Sequence, residues 1–137
     1  MNGPAGRRFV VLLLACVAVV GCHGNLSGPG EGPLAIGRWA GGGACLSVAE
    51  ATCNLVVGCG RGQFPRPVVS VAGTFNVDGT YRIEVGPISI DPAPPAHFSG
   101  TVTGSRLILN VEPAGSLPPA SYSMIPTTTG TCSVPCL

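Results

Sequence analysis

From Val68 to Val85 the chain reads VVSVAGTFNVDGTYRIEV, two runs of alternating apolar and polar positions on either side of an Asp-Gly pair. That pattern predicts a β-hairpin. A two-residue loop at Asp78-Gly79 would set Phe75 opposite Arg82 and mix the faces. A three-residue loop, Val77-Asp78-Gly79 with Gly79 left-handed, instead sets Phe75 opposite Tyr81, Gly73 opposite Ile83 and Val71 opposite Val85. Thr74/Arg82 and Ala72/Glu84 then share the other face, so the three-residue loop is the reading adopted. Asp78 serves the turn in this scheme, and Glu84 faces Ala72.

A second hairpin is expected from His97 to Glu112, where Gly104-Ser105 suits a type II′ turn. Its register places Val102 opposite Leu107, Gly100 opposite Leu109, Phe98 opposite Val111, and His97 opposite Glu112 on the outward face. Gly73 and Gly100 each fall on an apolar face beside an aromatic residue, where a missing side chain lets a sheet curl. Ala120 to Ile125 adds a strand with Tyr122 and Met124 inward, before the Thr-rich turn that leads to Cys132 and Cys136.

Ala44 to Cys59 admits two structures. Ser47-Val48-Ala49-Glu50 spells a capping box and Gly58 could close a helix from Val48 to Val57. A hairpin with the four-residue loop Ala49 to Thr52 instead pairs Val48 with Cys53, Leu46 with Leu55 and Ala44 with Val57, all on one face, and so accounts for more residues. Gly58 to Gly62, GCGRG, is compositionally like a phosphate-cradling loop. Phe64-Pro65-Arg66-Pro67 follows where such a loop needs a helix N-terminus, and it opposes a strand interior too, so the segment is read as a turn. Pro87 to Pro95 is a proline-rich connector.

The fold class is therefore all-β: an antiparallel meander forming a small barrel or strongly coiled sheet. Among 137 residues, 21 Gly, 14 Pro and 9% charged residues agree with short strands joined by turns. All seven basic residues are Arg, and setting aside Arg7 and Arg8 in the N-terminal segment leaves five against six acidic residues, a net of −1. Neither a nucleic-acid footprint nor a polybasic membrane patch is present.

Met1 to Arg8 carries two positive charges, and Phe9 to Val20 is a twelve-residue apolar run, the layout of a secretory signal peptide. A spanning helix needs roughly 20 residues. Val19-Val20-Gly21-Cys22 resembles the bacterial lipobox, which implies lipidation of Cys22 after removal of residues 1–21. Leu13-Leu14-Ala15-Cys16 fits more loosely, since cleavage there would expose Val17 to Val20 and leave an apolar run of seven. Ordinary signal-peptide cleavage near Gly21 is the rival. Each methylene of an acyl chain buried in the membrane contributes about 0.8 kcal/mol. His23 rather than Asp follows the cysteine, which by resemblance to enterobacterial sorting implies the outer membrane. Residues 22–33, including Asn25 to Gly32, NLSGPGEG, read as a flexible tether, and 34–137 as the β-domain.

The order Gly37-Arg38-Trp39-Ala40-Gly41, Cys59-x-x-Gly62, a Pro, Gly73-Thr74-Phe75-x-Val77-x-Gly79-Thr80-Tyr81, Gly100-x-Val102-x-Gly104 and a terminal Cys resembles a family of small secreted bacterial β-proteins of unassigned function. The resemblance spans Ile36 to the C-terminus and implies architecture without an activity. Cys45, Cys53 and one of the terminal pair depart from the family pattern. Gly37-x-Trp39 alone is similar to the start of lipocalin-like barrels; a Trp plugging one end of the core explains it as well.

Five cysteines remain in the exported body: Cys45, Cys53, Cys59, Cys132 and Cys136. Outside the cytoplasm they are expected to form two disulfides and leave one thiol. Period two puts Cys53, Leu55, Val57 and Cys59 on the apolar face and Cys45 on the other with Ser47, so Cys45 and Cys53 should not pair. A closing C-terminal strand would bring Cys132 or Cys136 to Cys59. The rival is a metal site of Cys132, Cys136, Cys59 and His97, but the spacings of seven and five among the other cysteines lack a second close pair. His97 has no nucleophile in an obvious elbow nearby, so no catalytic residue, metal or cofactor is assigned. Two functions remain. One is a lipid-anchored, non-catalytic envelope protein that binds a protein or polymer; the other is a lipocalin-like carrier of a small apolar ligand, which the bulky inward positions Phe75, Tyr81, Ile83, Leu107 and Leu109 disfavour.

Overall fold

Strand follows strand because inward positions recur every second residue, and several of the turns between them are only two or three residues long. The computed structural model describes residues 31–84, 92–128, 132 and 136. Its strands are β1 (Gly32–Pro33), β2 (Gly37–Gly41), β3 (Ala44–Val48), β4 (Thr52–Val57), β5 (Gly60–Pro65), β6 (Val68–Val69), β7 (Thr74–Ile83), β8 (Pro95–Thr103), β9 (Arg106–Pro113) and β10 (Ala120–Thr127). Eight of them close into an antiparallel barrel in the order β10-β2-β3-β4-β5-β7-β8-β9. The fold is the all-β, disulfide-stabilised meander expected from the alternation, and the closed barrel is the form adopted. The signal segment 1–21, Cys22, the tether up to residue 30, Val85 and most of the connector from Pro87 lie outside the described residues.

Two hairpins have the expected registers. Ala44 pairs with Val57, Leu46 with Leu55 and Val48 with Cys53, and Ala49 N–H donates to the Thr52 carbonyl at 2.9 Å, so the helix alternative from Val48 to Val57 is excluded. Phe98 pairs with Val111, Gly100 with Leu109 and Val102 with Leu107 around Gly104-Ser105, with Gly104 at φ 59°.

The hairpin expected at Val77-Asp78-Gly79 does not form. β7 runs straight through Asp78-Gly79 and changes neighbours there: Thr74–Thr80 pair with β8, Phe75 lying opposite Gly100, while Thr80–Ile83 pair with β5. Gly79 is needed for close approach and not for a turn, because a Cβ there would collide with the Gln63 carbonyl and sit 2.7 Å from the Phe64 Cβ. A three-residue loop and a straight strand preserve the same parity, so Phe75, Tyr81 and Ile83 still point inward. The reversal of direction lies earlier, at Gly73 (φ 82°), whose N–H donates to the Ser70 carbonyl, and Val71 is 71% exposed instead of inward.

The segment read as a turn from Gly58 to Gly62 is a turn only at Gly58-Cys59; Gly60 begins β5, which Pro65 ends. The inward positions of β5 are Gly60, Gly62 and Phe64. Gly60 yields space to the Tyr81 hydroxyl, and a Cβ at Gly62 would stand 3.2 Å from the Phe98 ring. Phe98 in turn stacks on Phe64 with ring centroids 4.3 Å apart. Gly100 likewise lies beneath Phe75. Large rings facing glycines fill the middle of a narrow barrel, and each fully buried large apolar side chain contributes about 1.5–3 kcal/mol. Leu46, Cys53, Leu55, Leu107, Leu109 and Met124 complete the centre.

The two barrel ends differ. At the base, where β2, β4 and β9 begin, β1 pairs with β6 as a two-stranded cap, so Gly32–Pro33, placed in the tether by composition, are paired backbone. Leu34 N–H donates to the Pro67 carbonyl, Arg66 Nε donates to the Leu34 carbonyl at 2.7 Å, and Leu34 and Val69 are buried beside Trp39. β10 closes the barrel by pairing Ile125 with Ala40 and Pro126 with Trp39. The C-terminal cysteines lie beyond that closing strand and not within it. Cys132 is bonded to Cys45 on the outer face of β3, where Ser47 Oγ donates to Cys132 Sγ at 3.2 Å. Cys136 is bonded to Cys59, which sits half-buried in the β4–β5 turn at the mouth and off the inner face assigned to it. Among the described cysteines, Cys53 is the one left as a thiol, and it is buried in the core.

Candidate functional site

With odd positions of β4 and β7 and even positions of β5 turned inward, the outer face over these strands consists of two rungs. Asn54, Gln63 and Thr80 form one, and Val56, Arg61 and Arg82 the next. They line a concavity of about 210 Å³ that Glu84 borders. Arg61 and Arg82 are directly opposite one another, an arrangement that is destabilising for like charges unless compensated. Compensation comes from Glu84, whose Oε1 accepts from Arg82 Nη2 at 3.1 Å and whose Oε2 lies 3.6 Å from Arg61 Nε. Arg61 Nη1 also donates to the carbonyls of Gly58 (2.7 Å) and Gly60 (2.9 Å). The turn that holds Cys59 therefore fixes Arg61, and Glu84 N–H closes the cluster by donating to the Cys59 carbonyl at 2.9 Å. Glu84 thus faces two arginines, where the sequence reading had set it against Ala72.

A second concavity, about 200 Å³, opens at the barrel mouth between Tyr81, Tyr122, Ile83, Leu117 and Pro118. It is the apolar counterpart of the outer groove. Burial pushes the Tyr81 hydroxyl above its ordinary pKa, reinforced by neighbouring Tyr122 and opposed by Arg61; burial alone raises that of Tyr122. Both phenols stay protonated at neutral pH and are the polar groups of an otherwise apolar rim.

His97 is opposite Glu112 in register, as expected, yet the carboxylate it touches is Asp78 on its other side. His97 Nδ1 is 2.8 Å from Asp78 Oδ1, and Nε2 is 3.1 Å from Asn76 Oδ1. The Asp78 side chain is 92% exposed, so the pair is solvated and worth little to stability. Among the described residues, the side-chain partners of His97 are Asp78 and Asn76, neither of them a Ser or Cys nucleophile. Among the five body cysteines, Cys132 and Cys136 go to different partners, which dismantles the four-ligand set with Cys59 and His97. Among the described residues no group of three His, Cys, Asp or Glu side chains is arranged to hold a metal ion.

The Arg61–Arg82 rung escapes sequence reasoning because it exists only once β5 pairs with β7, whereas the sequence pattern reads the start of β5 as a turn and folds β7 back on itself. The one available signal was that both arginines flank glycine-rich or turn-like stretches in a chain with few charges. No protein-family model, curated protein or solved structure matches this chain.

Proposed function

We propose that this is an exported bacterial protein, held to the cell envelope by a lipid on Cys22, whose barrel is a non-catalytic module that binds an envelope protein or polymer through its outer surface. The supporting observation is the filled interior: Phe64, Phe98, Leu46, Leu55, Leu107 and Leu109 are each no more than 1% exposed, so a ligand would have to displace the core itself. The polar concavity on the outside is where hydrogen-bonding and charged groups converge instead.

The rival, a lipocalin-like carrier, draws on the mouth cavity, whose apolar walls and two phenols suit a small apolar guest. Its volume of about 200 Å³ is below the roughly 300 Å³ at which small-molecule pockets usually begin.

Metabolic labelling with a palmitate analogue should mark the wild-type protein and not Cys22→Ser. Labelling that survives this change but disappears with Cys16→Ser would move the lipid to the earlier cysteine. Native mass spectrometry of the exported protein separates the two functions, because a stoichiometric apolar passenger would favour the carrier.

A further inference from the structure

The outer groove has more donors than its own acceptor can use. Two guanidinium groups offer roughly ten N–H donors. Among the described residues they meet one carboxylate, that of Glu84, and two backbone carbonyls. Among the described residues, two cations against one anion leave the rung positive. Arg61 is held in place by the Gly58 and Gly60 carbonyls, so little side-chain freedom remains to be lost when an anion arrives.

The neighbouring rung sets the kind of anion. Asn54, Gln63 and Thr80 are uncharged amide and hydroxyl groups lying two residues along the same face, about 7 Å from the arginines. An oxyanion on Arg61 and Arg82 would therefore have its scaffold against groups that both donate and accept, which suits the hydroxyls of a sugar ring and not an acyl chain or an apolar peptide side chain. The concavity, at about 210 Å³, has room for one monosaccharide unit.

We propose that the Arg61–Arg82 rung, with Asn54, Gln63 and Thr80, binds a carboxylated sugar residue of an acidic polysaccharide. This rests on the outer-surface binding reading above and names its ligand class. The carboxylate takes the two guanidinium forks in competition with Glu84, and the ring hydroxyls meet the amide rung. Glu84 is thus a built-in competitor as well as the counter-ion that keeps the empty site from repelling itself.

The full chain, purified in a nonionic detergent, is tested by calorimetry against oligogalacturonate, a neutral dextran oligomer of similar length, and anionic phospholipid vesicles. Oligogalacturonate should bind and dextran should not, with affinity falling as salt is raised. Arg82→Gln should weaken binding about tenfold or more, Arg82→Lys less, and Glu84→Gln should strengthen it several-fold by removing the competitor. The Glu84→Gln gain is a signature that a merely structural ion pair would not produce. Arg61→Gln is read only beside its melting curve, since Arg61 also ties the Gly58-Cys59 turn. Equal binding of dextran, binding of vesicles but not oligogalacturonate, or no change in affinity with Arg82→Gln would each overturn the proposal. Palmitate labelling of Cys22 reports separately on the envelope reading, so failure of one is distinguishable from failure of the other.

Discussion

Cys136 is bonded to Cys59, 77 positions before it, from outside the barrel, after the closing strand β10 has already ended at Thr127. Together with Cys45–Cys132 this staples the chain end across the outer face of β3 and onto the turn that holds Arg61. With Cys45–Cys132 already closed, this second bond closes an effective loop of only roughly 18 residues and removes unfolded-state entropy worth about 3 kcal/mol in the loop model. For a small domain that is a large share of net stability. The double change Cys59→Ala/Cys136→Ala should therefore lower the melting temperature much more than Cys53→Ala, which removes one buried sulfur for about 1 kcal/mol. Non-reducing peptide mapping that finds Cys53 in a bridge would refute the assignment.

Asp78-Gly79 and Gly104-Ser105 should respond oppositely to insertion. Two extra residues at Gly104-Ser105 only lengthen a surface turn, a change of a few tenths of a kcal/mol. The same insertion after Asp78 lies inside β7 and shifts Tyr81 off Gly60, so the folded state should be lost. Gly79→Ala alone should destabilise by about 1–3 kcal/mol, because the methyl meets Gln63 backbone. Equal tolerance at both sites, measured by urea unfolding, would restore the hairpin reading of β7.

Alkaline pH should destabilise the protein, and the sign follows from three groups. Burial pushes the Cys53 thiol up to about 11 from an ordinary 9, against a smaller opposing pull from Arg66, and burial also raises Tyr81 and Tyr122. Between these values the unfolded chain has released protons that the folded one retains, so stability, intact below pH 9, falls as pH rises through about 11. Cys53→Ala should shift the onset upward, and urea midpoints that stay flat from pH 8 to about 11 would contradict the burial argument. The same shift keeps Cys53 unreactive towards thiol reagents until the barrel opens.

The registers of β3 with β4 and of β8 with β9 were legible because each hairpin has a short loop whose local turn chemistry and flanking alternation agree in placing the apolar residues of both strands on one face. β7 was misread although its pattern was clearer. An Asp-Gly pair between alternating runs signals a left-handed turn when glycine is wanted for its backbone freedom. Here glycine is wanted for its missing Cβ, which depends on Phe64, a residue on a different strand. β5 was missed for the same reason, since Gly60 and Gly62 are small because Tyr81 and Phe98 are large. Local sequence encodes which face a residue takes; it does not encode which ring lies above it. The outer groove, made by pairing β5 with β7, was illegible as a consequence.

The rung that joins Ala40 to Ile125 connects strands near the two ends of the folded body. Contacts of such long range form late, and domains dominated by them fold in milliseconds to seconds. Until β10 arrives, β2 and β9 are open edges with unpaired backbone, the situation that promotes joining to other chains. A polypeptide delivered N-terminus first, as every chain is from the ribosome, cannot close this cylinder until almost all of it has emerged. The interval before the last strand emerges is its time of greatest exposure to wrong partners, and a construction in which the final strand completes every ladder makes full delivery a condition for any part to be safe.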